Sequence, residues 1–212
     1  MKNLENIVAS KLLEIKAVFL KPNDPFTWAS GIKSPIYCDN RLTLSYPLVR
    51  DVIENGLAEI IKKYYPQCEC VMGTSTAGIA HAALVANILN LPMGYVRSGA
   101  KDHGRKNQIE GVVPTGKNVV VIEDLISTAG SAIEVVEILR ESGANVLGIA
   151  SIFTYELKKG LDNLKNSNVI NHSLSNFTAL INQAVKESYI ESSDLVKLEA
   201  FQKDPNSDWQ NL

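Results

Sequence analysis

Two adjacent acids, Glu123 and Asp124, follow the apolar run of residues 118–122. Directly after them come hydroxyl side chains and a glycine, in the sequence LISTAGS of residues 125–131, and then a helical pattern. A turn between a buried strand and a helix N-terminus offers free backbone N–H groups and the positive end of the helix dipole, which suit a phosphate. The carboxylates repel phosphate, but they can hold sugar hydroxyls or metal-bound waters. A pentose 5-phosphate satisfies both halves of this motif.

Two other interpretations of the same residues are weaker. The run VVVIED of residues 119–124 has the form of the acidic strand of an NTPase, which would also need the pattern GxxxxGK[ST]. The nearest candidate for that pattern spans residues 73–78, and Ile79 stands where it requires lysine. A solvated strand end without function is the other alternative, and the hydroxyl-rich turn after the acids disfavours it.

A second strand-to-helix turn has the sequence GTSTAG, residues 73–78. Its small residues allow a ligand to approach the backbone amides closely, so it suits a second anionic group. Tight packing is the alternative interpretation of such a turn.

A third segment, residues 97–111 (RSGAKDHGRKNQIEG), is too polar to belong to a core. A polar segment of this length in a compact domain is typical of a functional lid, although a solvated charged loop is possible on composition alone. Its glycines would allow it to move. A basic lid suits a polyanionic leaving group, and its basic residues are Arg97, Lys101, His103, Arg105 and Lys106.

The elements that must position these loops alternate between strand and helix. The chain opens with an amphipathic helix, and residues 26–41 form a hairpin-like excursion around Gly31. Ser45 is expected to cap a helix that runs to about Tyr64, with Pro47 in its first turn. Strands are predicted at 69–73, 93–97, 118–122 and 145–154, and helices at 78–90 and at 129–142, before Gly143. This pattern predicts a parallel sheet covered on both faces, and ligands sit beyond the carboxyl ends of such strands.

Composition limits the class of protein. The chain has 212 residues, 45% of them hydrophobic, and a formal net charge of −2. That charge argues against nucleic-acid binding. Charged residues interrupt the N-terminal apolar pattern, so we expect neither a signal peptide nor a membrane span. The cysteines, Cys38, Cys68 and Cys70, fit no zinc spacing, and three thiols suggest a reducing compartment, the cytoplasm. The polar end, residues 203–212, is expected to fray.

Together these segments resemble the type I phosphoribosyltransferases, whose signature is VVVIEDLISTAGSA, residues 119–132. Within that family the chain is most similar to the orotate enzymes, through FTWASGIKSPIYCDNR (residues 26–41) and RSGAKDHG with NQIEG (residues 97–104 and 107–111). The resemblance implies an α/β fold with a central, mostly parallel sheet flanked by helices and a small N-terminal hood. It implies one domain over residues 1–212, with the hood at about 18–42 and the core that binds phosphoribosyl diphosphate (PRPP) at about 45–157.

The resemblance also implies roles for individual residues. Glu123 and Asp124 would bind the ribose hydroxyls of PRPP, and Ser127 would also contact orotate. The diphosphate would meet Arg97, Lys101 and His103, with Lys101, His103 and Asp124 acting in catalysis. The 5-phosphate loop would comprise Leu125, Ile126, Ser127, Thr128, Ala129, Gly130 and Ser131, and the diphosphate loop Thr74, Ser75 and Thr76.

The chain departs from some family members on the orotate side. Some carry a lysine where Ala29 stands, and some carry an orotate-binding arginine where the 146–154 strand ends, in the run FTYEL of this chain. Lys33 and Arg41, in the hairpin-like segment, are the candidates that remain for the orotate carboxylate.

The implied reaction is transfer of the ribose 5-phosphate of PRPP to N1 of orotate, with Mg²⁺ as cofactor, held mainly by PRPP and water. The family forms homodimers with active sites shared between subunits, and no nucleic-acid or membrane partner is expected. Two alternatives are a purine phosphoribosyltransferase and a PRPP-binding regulator without catalysis. In 6-oxopurine relatives an acid stands four residues after the first acid of the signature; here that residue is Ser127, which favours a pyrimidine. Lys101 and His103 speak against a regulator.

Overall fold

The computed structural model describes residues 2–28, 31–97, 99 and 108–212. Within these residues the central element is a six-stranded sheet, with four shorter strands in the N-terminal region. The strands are β1 (Val18–Leu20), β2 (Phe26–Thr27), β3 (Lys33–Ser34), β4 (Ile36–Cys38), β5 (Cys70–Thr74), β6 (Met93–Val96), β7 (Ile109–Glu110), β8 (Asn118–Ile126), β9 (Asn145–Thr154) and β10 (Asn171–Asn176).

Helices connect these strands and cover the sheet. They are α1 (Lys2–Glu14), α2 (Pro47–Tyr64), α3 (Ala77–Leu89), α4 (Gly130–Glu141), α5 (Lys158–Asn166), α6 (Phe177–Lys186) and α7 (Leu195–Lys203). Short 3₁₀ helices lie at Asn40–Ser45, Ser192–Asp194 and Trp209–Asn211.

The strand order in the main sheet is β10-β9-β8-β5-β6-β7. All neighbours are parallel except β6 and β7, which pair antiparallel through Tyr95↔Glu110 and Val96↔Ile109. The prediction of a mostly parallel sheet is therefore confirmed. Because β5 and β8 are adjacent and parallel, the diphosphate loop and the segment after β8 leave the same edge of the sheet.

The hydrophobic core lies in two layers, one on each face of the sheet. One layer joins the sheet to α1, α2, α3 and α6, with Leu12, Leu57 and Val85 fully buried. The other joins it to α4 and α5, through Val136, Leu139 and Leu164. Burial on both faces explains why consecutive residues are buried in β8 (residues 119–122) and β9 (residues 148–153), rather than every second one.

The hood consists of two small antiparallel pairs. β1 pairs with β4 through Val18↔Cys38 and Leu20↔Ile36, and β2 pairs with β3 through Phe26↔Ser34 and Thr27↔Lys33. The hairpin expected within residues 26–41 is present as the β2–β3 pair.

Three boundaries differ from the sequence prediction. The helix α2 begins at Pro47 after Tyr46, and Ser45 does not cap it, because Ser45 is the last residue of a preceding 3₁₀ helix. The polar segment expected over residues 97–111 is shorter, since residues 109–110 pair with β6 as β7. The prediction that residues 203–212 fray is wrong, because the side chain of Trp209 is buried and packs edge-on against Phe201 at 5.6 Å between ring centroids.

Candidate active site

The two adjacent acids lie inside β8 rather than after it. We expected Glu123 to open a loop, but β8 continues to Ile126 because its pairing with β9 continues, through Glu123↔Ser151 and Leu125↔Phe153. The pairing of β8 with β5 ends earlier, at Ile122. The acids therefore occupy a stretch of strand with one neighbouring strand, and their other side faces the site.

Glu123 is a buried acid, with only 5% of its surface exposed. Its carboxylate accepts the backbone N–H of Asp124 at 2.8 Å. Burial, and then the neighbouring Asp124 carboxylate, raise the pKa of Glu123 to about 8, although the hydrogen bond from the Asp124 backbone N–H acts in the opposite direction. The protonated form of Glu123 is therefore favoured more than in an ordinary, solvated glutamate.

The phosphate loop, residues 125–131, turns sharply from β8 into α4. Ala129 adopts a left-handed conformation with φ of 63°, which is uncommon for a residue with a Cβ atom, and α4 begins at the next residue. The N-cap residue, Ala129, has no side chain that can accept a hydrogen bond, so among the described residues no side chain caps the first backbone N–H groups of α4. An anion at this position would meet both those donors and the positive end of the helix dipole.

Two side chains fix the phosphate loop in place. The Ser127 hydroxyl oxygen accepts the N–H of Thr128 at 2.6 Å, and the amide of Asn163 on α5 donates to the Thr128 carbonyl at 3.0 Å. The loop is thus shaped before any ligand binds, which lowers the entropy cost of binding.

The diphosphate loop follows β5 and is packed closely against β8. The Thr74 hydroxyl donates to the Ile122 carbonyl at 3.2 Å, and the Ser75 hydroxyl donates to the Val96 carbonyl at 2.6 Å. The peptide bond between Ser75 and Thr76 is cis. At Gly78 a Cβ atom would lie 2.4 Å from the Ile122 carbonyl oxygen, so only glycine allows α3 to start this close to β8.

A cavity of about 440 Å³ lies between the hood and the phosphate loop. Trp28 stacks on Tyr155, with ring centroids 5.6 Å apart and an interplanar angle of 17°. Phe26 and Tyr37 form a second aromatic contact at 5.7 Å. A flat, conjugated ligand fits between such side chains. We call this the aromatic cavity; its lining is Phe26, Thr27, Trp28, Tyr37, Cys38, Leu125, Ser127 and Tyr155.

The two cations expected near the orotate carboxylate are not among the lining residues. Lys33 donates from Nζ to the Thr27 hydroxyl at 2.7 Å, so it reaches the rim of the aromatic cavity through a lining residue. Arg41 instead forms a two-point contact with Asp39, at 2.7 and 2.8 Å, which raises the pKa of its guanidinium. Arg41 already has an anionic partner, whereas Lys33 has a neutral one.

Of the basic residues expected at the diphosphate, Lys101 and His103 lie outside the described residues. Arg97 is described and stands at the end of β6, where its guanidinium lies 3.0 Å from the Glu110 carboxylate on β7. It therefore marks the point from which the segment of residues 98–107 departs.

Two features of this site escaped the sequence interpretation. The stacked pair of Trp28 and Tyr155 was not expected, although both aromatic residues stand in segments singled out for other reasons. Asn40 was not considered, yet it is buried and donates from Nδ2 to the Asp124 carbonyl at 2.7 Å. No local pattern could have found this contact, because its two residues are separated by 84 positions.

The described parts of the chain contain free thiols but neither a metal-binding cluster nor a membrane-spanning helix. There, no group of three or more His, Cys, Asp or Glu side chains is placed to hold a metal ion. Cys38, Cys68 and Cys70 are free thiols. Within the same residues, no helix combines the length and apolar character needed to cross a membrane.

Comparison with known proteins places this site in a family. The phosphoribosyl transferase domain model matches residues 45–185. An orotate phosphoribosyltransferase from Bacillus cereus (strain B4264) is 59% identical over 203 residues, which cover 95% of this chain and 97% of that protein. The chain belongs to the orotate phosphoribosyltransferase family. As a member of this family it is a phosphoribosyltransferase of pyrimidine biosynthesis, and the sequence predictions of family, fold and enzyme class are confirmed.

Solved structures agree with membership of the orotate phosphoribosyltransferase family. An orotate phosphoribosyltransferase from Aeropyrum pernix is 28% identical, with a TM-score of 0.74 over 86% of this chain and 99% of that one. The UMP synthase of Leishmania donovani is 26% identical, with a TM-score of 0.80. That match covers 93% of this chain but only 42% of the Leishmania chain, so the shared part is one portion of a longer protein.

Proposed function

We propose that this chain binds PRPP at the junction of β8 and α4 and transfers its ribose 5-phosphate to N1 of orotate, releasing diphosphate. One observation carries the proposal. A single continuous segment, residues 123–131, contains the acid pair and the N-terminus of α4, and it also contributes Leu125 and Ser127 to the lining of the aromatic cavity. Ser127 belongs to the phosphate loop and also lines the cavity, so a ligand bridging the two would have a phosphate at one end and a flat ring at the other.

In this arrangement each part of PRPP meets a group of matching chemistry. The 5-phosphate would accept hydrogen bonds from the backbone of the phosphate loop, residues 125–131, at the start of α4. The ribose hydroxyls would donate to Glu123 and Asp124. Glu123 would have to be ionised to accept two hydroxyls well, so we expect binding of PRPP to favour loss of its proton.

We propose that orotate occupies the aromatic cavity, stacked against aromatic side chains and hydrogen-bonded to Ser127. The proposal that Lys33 and Arg41 recognise its carboxylate is supported unequally. Lys33 has a neutral partner on the cavity rim, whereas Arg41 would have to give up or share its contact with Asp39. Lys33 is therefore the better supported of the two.

The diphosphate group would lie against Thr74, Ser75 and Thr76, with Arg97, Lys101 and His103 supplying positive charge. Mg²⁺ would neutralise further charge on the diphosphate. It fits a site in which the described residues offer the Asp124 and Glu123 carboxylates but no full ligand set, because Mg²⁺ keeps several waters and is bound mainly through substrate phosphates.

The chemistry asks for charge stabilisation rather than for a nucleophile. As the bond from C1 of the ribose to diphosphate breaks, positive charge builds on the ribose and negative charge on the leaving group. Asp124 and ionised Glu123 would stabilise the first, and Lys101, His103 and Arg97 the second. Orotate N1 then forms the new bond to C1 and gives up its proton, which the departing diphosphate can accept. Closure of the site would keep water away from that carbon.

We also propose a homodimer in which the basic residues of one subunit complete the site of the other. Two exposed apolar residues, Val112 and Val113, lie just after β7 and close in sequence to the basic segment of residues 98–107, and they support a contact surface there.

The free thiols support the proposal of a cytoplasmic location. The division into one domain, with a hood at about 18–42 and a PRPP-binding core at about 45–157, remains our proposal for its organisation.

The decisive experiment mixes the protein with PRPP, Mg²⁺ and orotate and follows the loss of orotate absorbance. We expect turnover that requires both PRPP and Mg²⁺. Turnover with hypoxanthine or adenine but not with orotate would support the purine alternative. Tight binding of PRPP without turnover of any base would support a regulator.

A further inference from the structure

Asn40 has a buried side chain that joins the hood to β8, the strand that carries Glu123 and Asp124. It opens the 3₁₀ helix Asn40–Ser45 and is only 1% exposed. Its Nδ2 donates to the backbone carbonyl of Asp124 at 2.7 Å. Breaking this bond would leave the buried Asn40 amide without its acceptor, which costs stability.

The carbonyl that Asn40 meets lies where β8 has lost a neighbour. β8 pairs with β5 only as far as Ile122, whereas β8 itself continues to Ile126. At the end of this pairing the Thr74 hydroxyl donates to the Ile122 carbonyl, and beyond it the Asn40 amide donates to the Asp124 carbonyl, so side chains take the place of the missing strand. Asn40 thus holds the backbone at the residue that carries the proposed ribose-binding carboxylate.

A second contact fixes the orientation of the Asn40 amide. The Cys38 thiol donates to Asn40 Oδ1 at 3.2 Å, which leaves Nδ2 facing Asp124. Burial raises the pKa of the Cys38 thiol well above its usual value, so this group stays protonated and can donate. Cys38 also lines the aromatic cavity. A short chain of contacts therefore runs from the cavity wall through Asn40 to the backbone of Asp124.

We propose that Asn40 is a positioning residue that holds Asp124 in register with the aromatic cavity, so that the ribose and the base are presented to each other at the correct distance. This inference rests on the proposed function, because it assumes ribose at Asp124 and orotate in the cavity. Asn40 touches neither substrate; it acts through the backbone of Asp124. A small displacement of a group that stabilises the transition state costs far more in turnover than in ground-state binding.

The test compares two buried polar residues of the same 3₁₀ helix. Thr43 is fully buried and its hydroxyl donates to the Asn40 carbonyl at 2.6 Å, so Thr43→Val removes a buried hydrogen bond of the hood without removing the contact to Asp124. Asn40→Leu removes the contact to Asp124 and keeps the number and branching of the side-chain heavy atoms. Assayed with PRPP, Mg²⁺ and orotate, Asn40→Leu should lose roughly 10- to 100-fold in kcat, with KM for orotate changed less than about threefold. Thr43→Val should lose less than about threefold in kcat.

A third variant, Asn40→Asp, gives a readout that a merely structural role would not move. The introduced carboxyl can donate to the Asp124 carbonyl only while protonated, so the ratio of its kcat to that of the wild type should be highest at low pH and fall as pH rises. Melting temperatures at each pH identify the folded range. This arm also decides the matter if Asn40→Leu does not fold.

Three outcomes are distinguishable. Wild-type protein without orotate turnover would overturn the proposed function itself. With an active wild type, equal losses in Asn40→Leu and Thr43→Val would make Asn40 an ordinary structural residue of the hood. A pH-independent ratio for folded Asn40→Asp would also overturn the positioning role.

Discussion

The indole of Trp28 in the hood stacks on the phenol ring of Tyr155 at the end of β9, and its edge meets the ring of Phe201 on α7 at 5.9 Å. Trp28 therefore connects three parts of the chain that are remote in sequence. The same side chain is a wall of the aromatic cavity. The shape of the proposed orotate site thus depends on how the hood docks onto the C-terminal region.

Truncation of Trp28 should weaken the binding of orotate. Aromatic pairs contribute about 0.5–1.5 kcal/mol beyond the area they bury, so Trp28→Ala should raise KM for orotate on the order of 10-fold. Steady-state kinetics with orotate varied at saturating PRPP measure this. Tyr46→Ala, which truncates an exposed aromatic residue outside the cavity, is the control and should leave KM unchanged.

A fluorescence experiment checks the same prediction without catalysis. The chain has two tryptophans, and Trp209→Phe leaves Trp28 as the only one. Orotate should then change the emission of Trp28 in a saturable way. Unaltered emission together with unaltered KM in Trp28→Ala would place orotate elsewhere.

Neutralising Asp124 should reduce catalysis while the fold survives. The Asp124→Asn side chain stabilises positive charge on the ribose less well than a carboxylate, and we expect kcat/KM to fall on the order of 10²-fold. Thermal unfolding should show little change. Asp162→Asn, which removes an exposed acid paired with Lys158, is the matched control. Unchanged kcat/KM in Asp124→Asn would contradict the assignment of ribose to the acid pair.

The raised pKa of Glu123 predicts opposite pH dependences for activity and stability. If the ionised form binds ribose, kcat/KM should rise with pH up to about 8. The folded protein holds this proton more tightly than the unfolded chain, whose acid titrates near 4.3. The contribution of Glu123 to stability is therefore fully present below that pH and is lost as pH rises through about 8.

The control for both dependences is Glu123→Gln, which cannot ionise. Its kcat/KM should lack the rise, and the difference in unfolding free energy between wild type and variant should shift against the wild type between about pH 4.3 and 8. Chemical denaturation at a series of pH values measures this difference. A constant difference would mean that Glu123 keeps an ordinary pKa.

Subunit mixing tests whether active sites are shared. Lys101→Ala should lower turnover on the order of 10²–10³-fold, because it removes a charge that faces the leaving group. Asp124→Asn alone should also have low activity. If each site combines residues of both subunits, a mixed dimer has one intact site. Random exchange makes half the dimers mixed, so roughly a quarter of wild-type activity should return in a closed two-fold assembly. No recovery after demonstrated exchange would confine each site to one subunit.

Trp209 should be a strong determinant of stability despite its position near the end of the chain. Its side chain is buried against Phe201, so Trp209→Ala should lower the unfolding free energy by about 3–5 kcal/mol. Urea denaturation measures the change. Leu212→Ala, at an exposed neighbouring site, should change it by less than about 0.5 kcal/mol. If Trp209→Ala changed the unfolding free energy by no more than Leu212→Ala does, the prediction that residues 203–212 fray would stand.

The sequence by itself determined the features that depend on neighbouring residues. Apolar β-branched runs alternating with helical patterns predicted the parallel sheet, because burial on both faces dictates that composition. The acid pair and the hydroxyl-rich turn after it predicted a ribose and phosphate site, because adjacent residues at a strand end must lie together. The element boundaries were less accurate: β8 extends to Ile126 because β9 pairs with it, and no local signal reports a pairing partner.

Tertiary structure decided what depends on residues far apart in the chain. The raised pKa of Glu123 comes from burial, which the types of its neighbours do not reveal. The contact of Asn40 with Asp124 and the stack of Trp28 on Tyr155 exist only because the hood folds back over the end of the sheet. Trp209 stands in a polar segment that was expected to fray, yet its side chain is buried and packs against Phe201. Local patterns set the elements and their motifs, whereas burial, charge and the walls of the cavity arise from packing between distant segments.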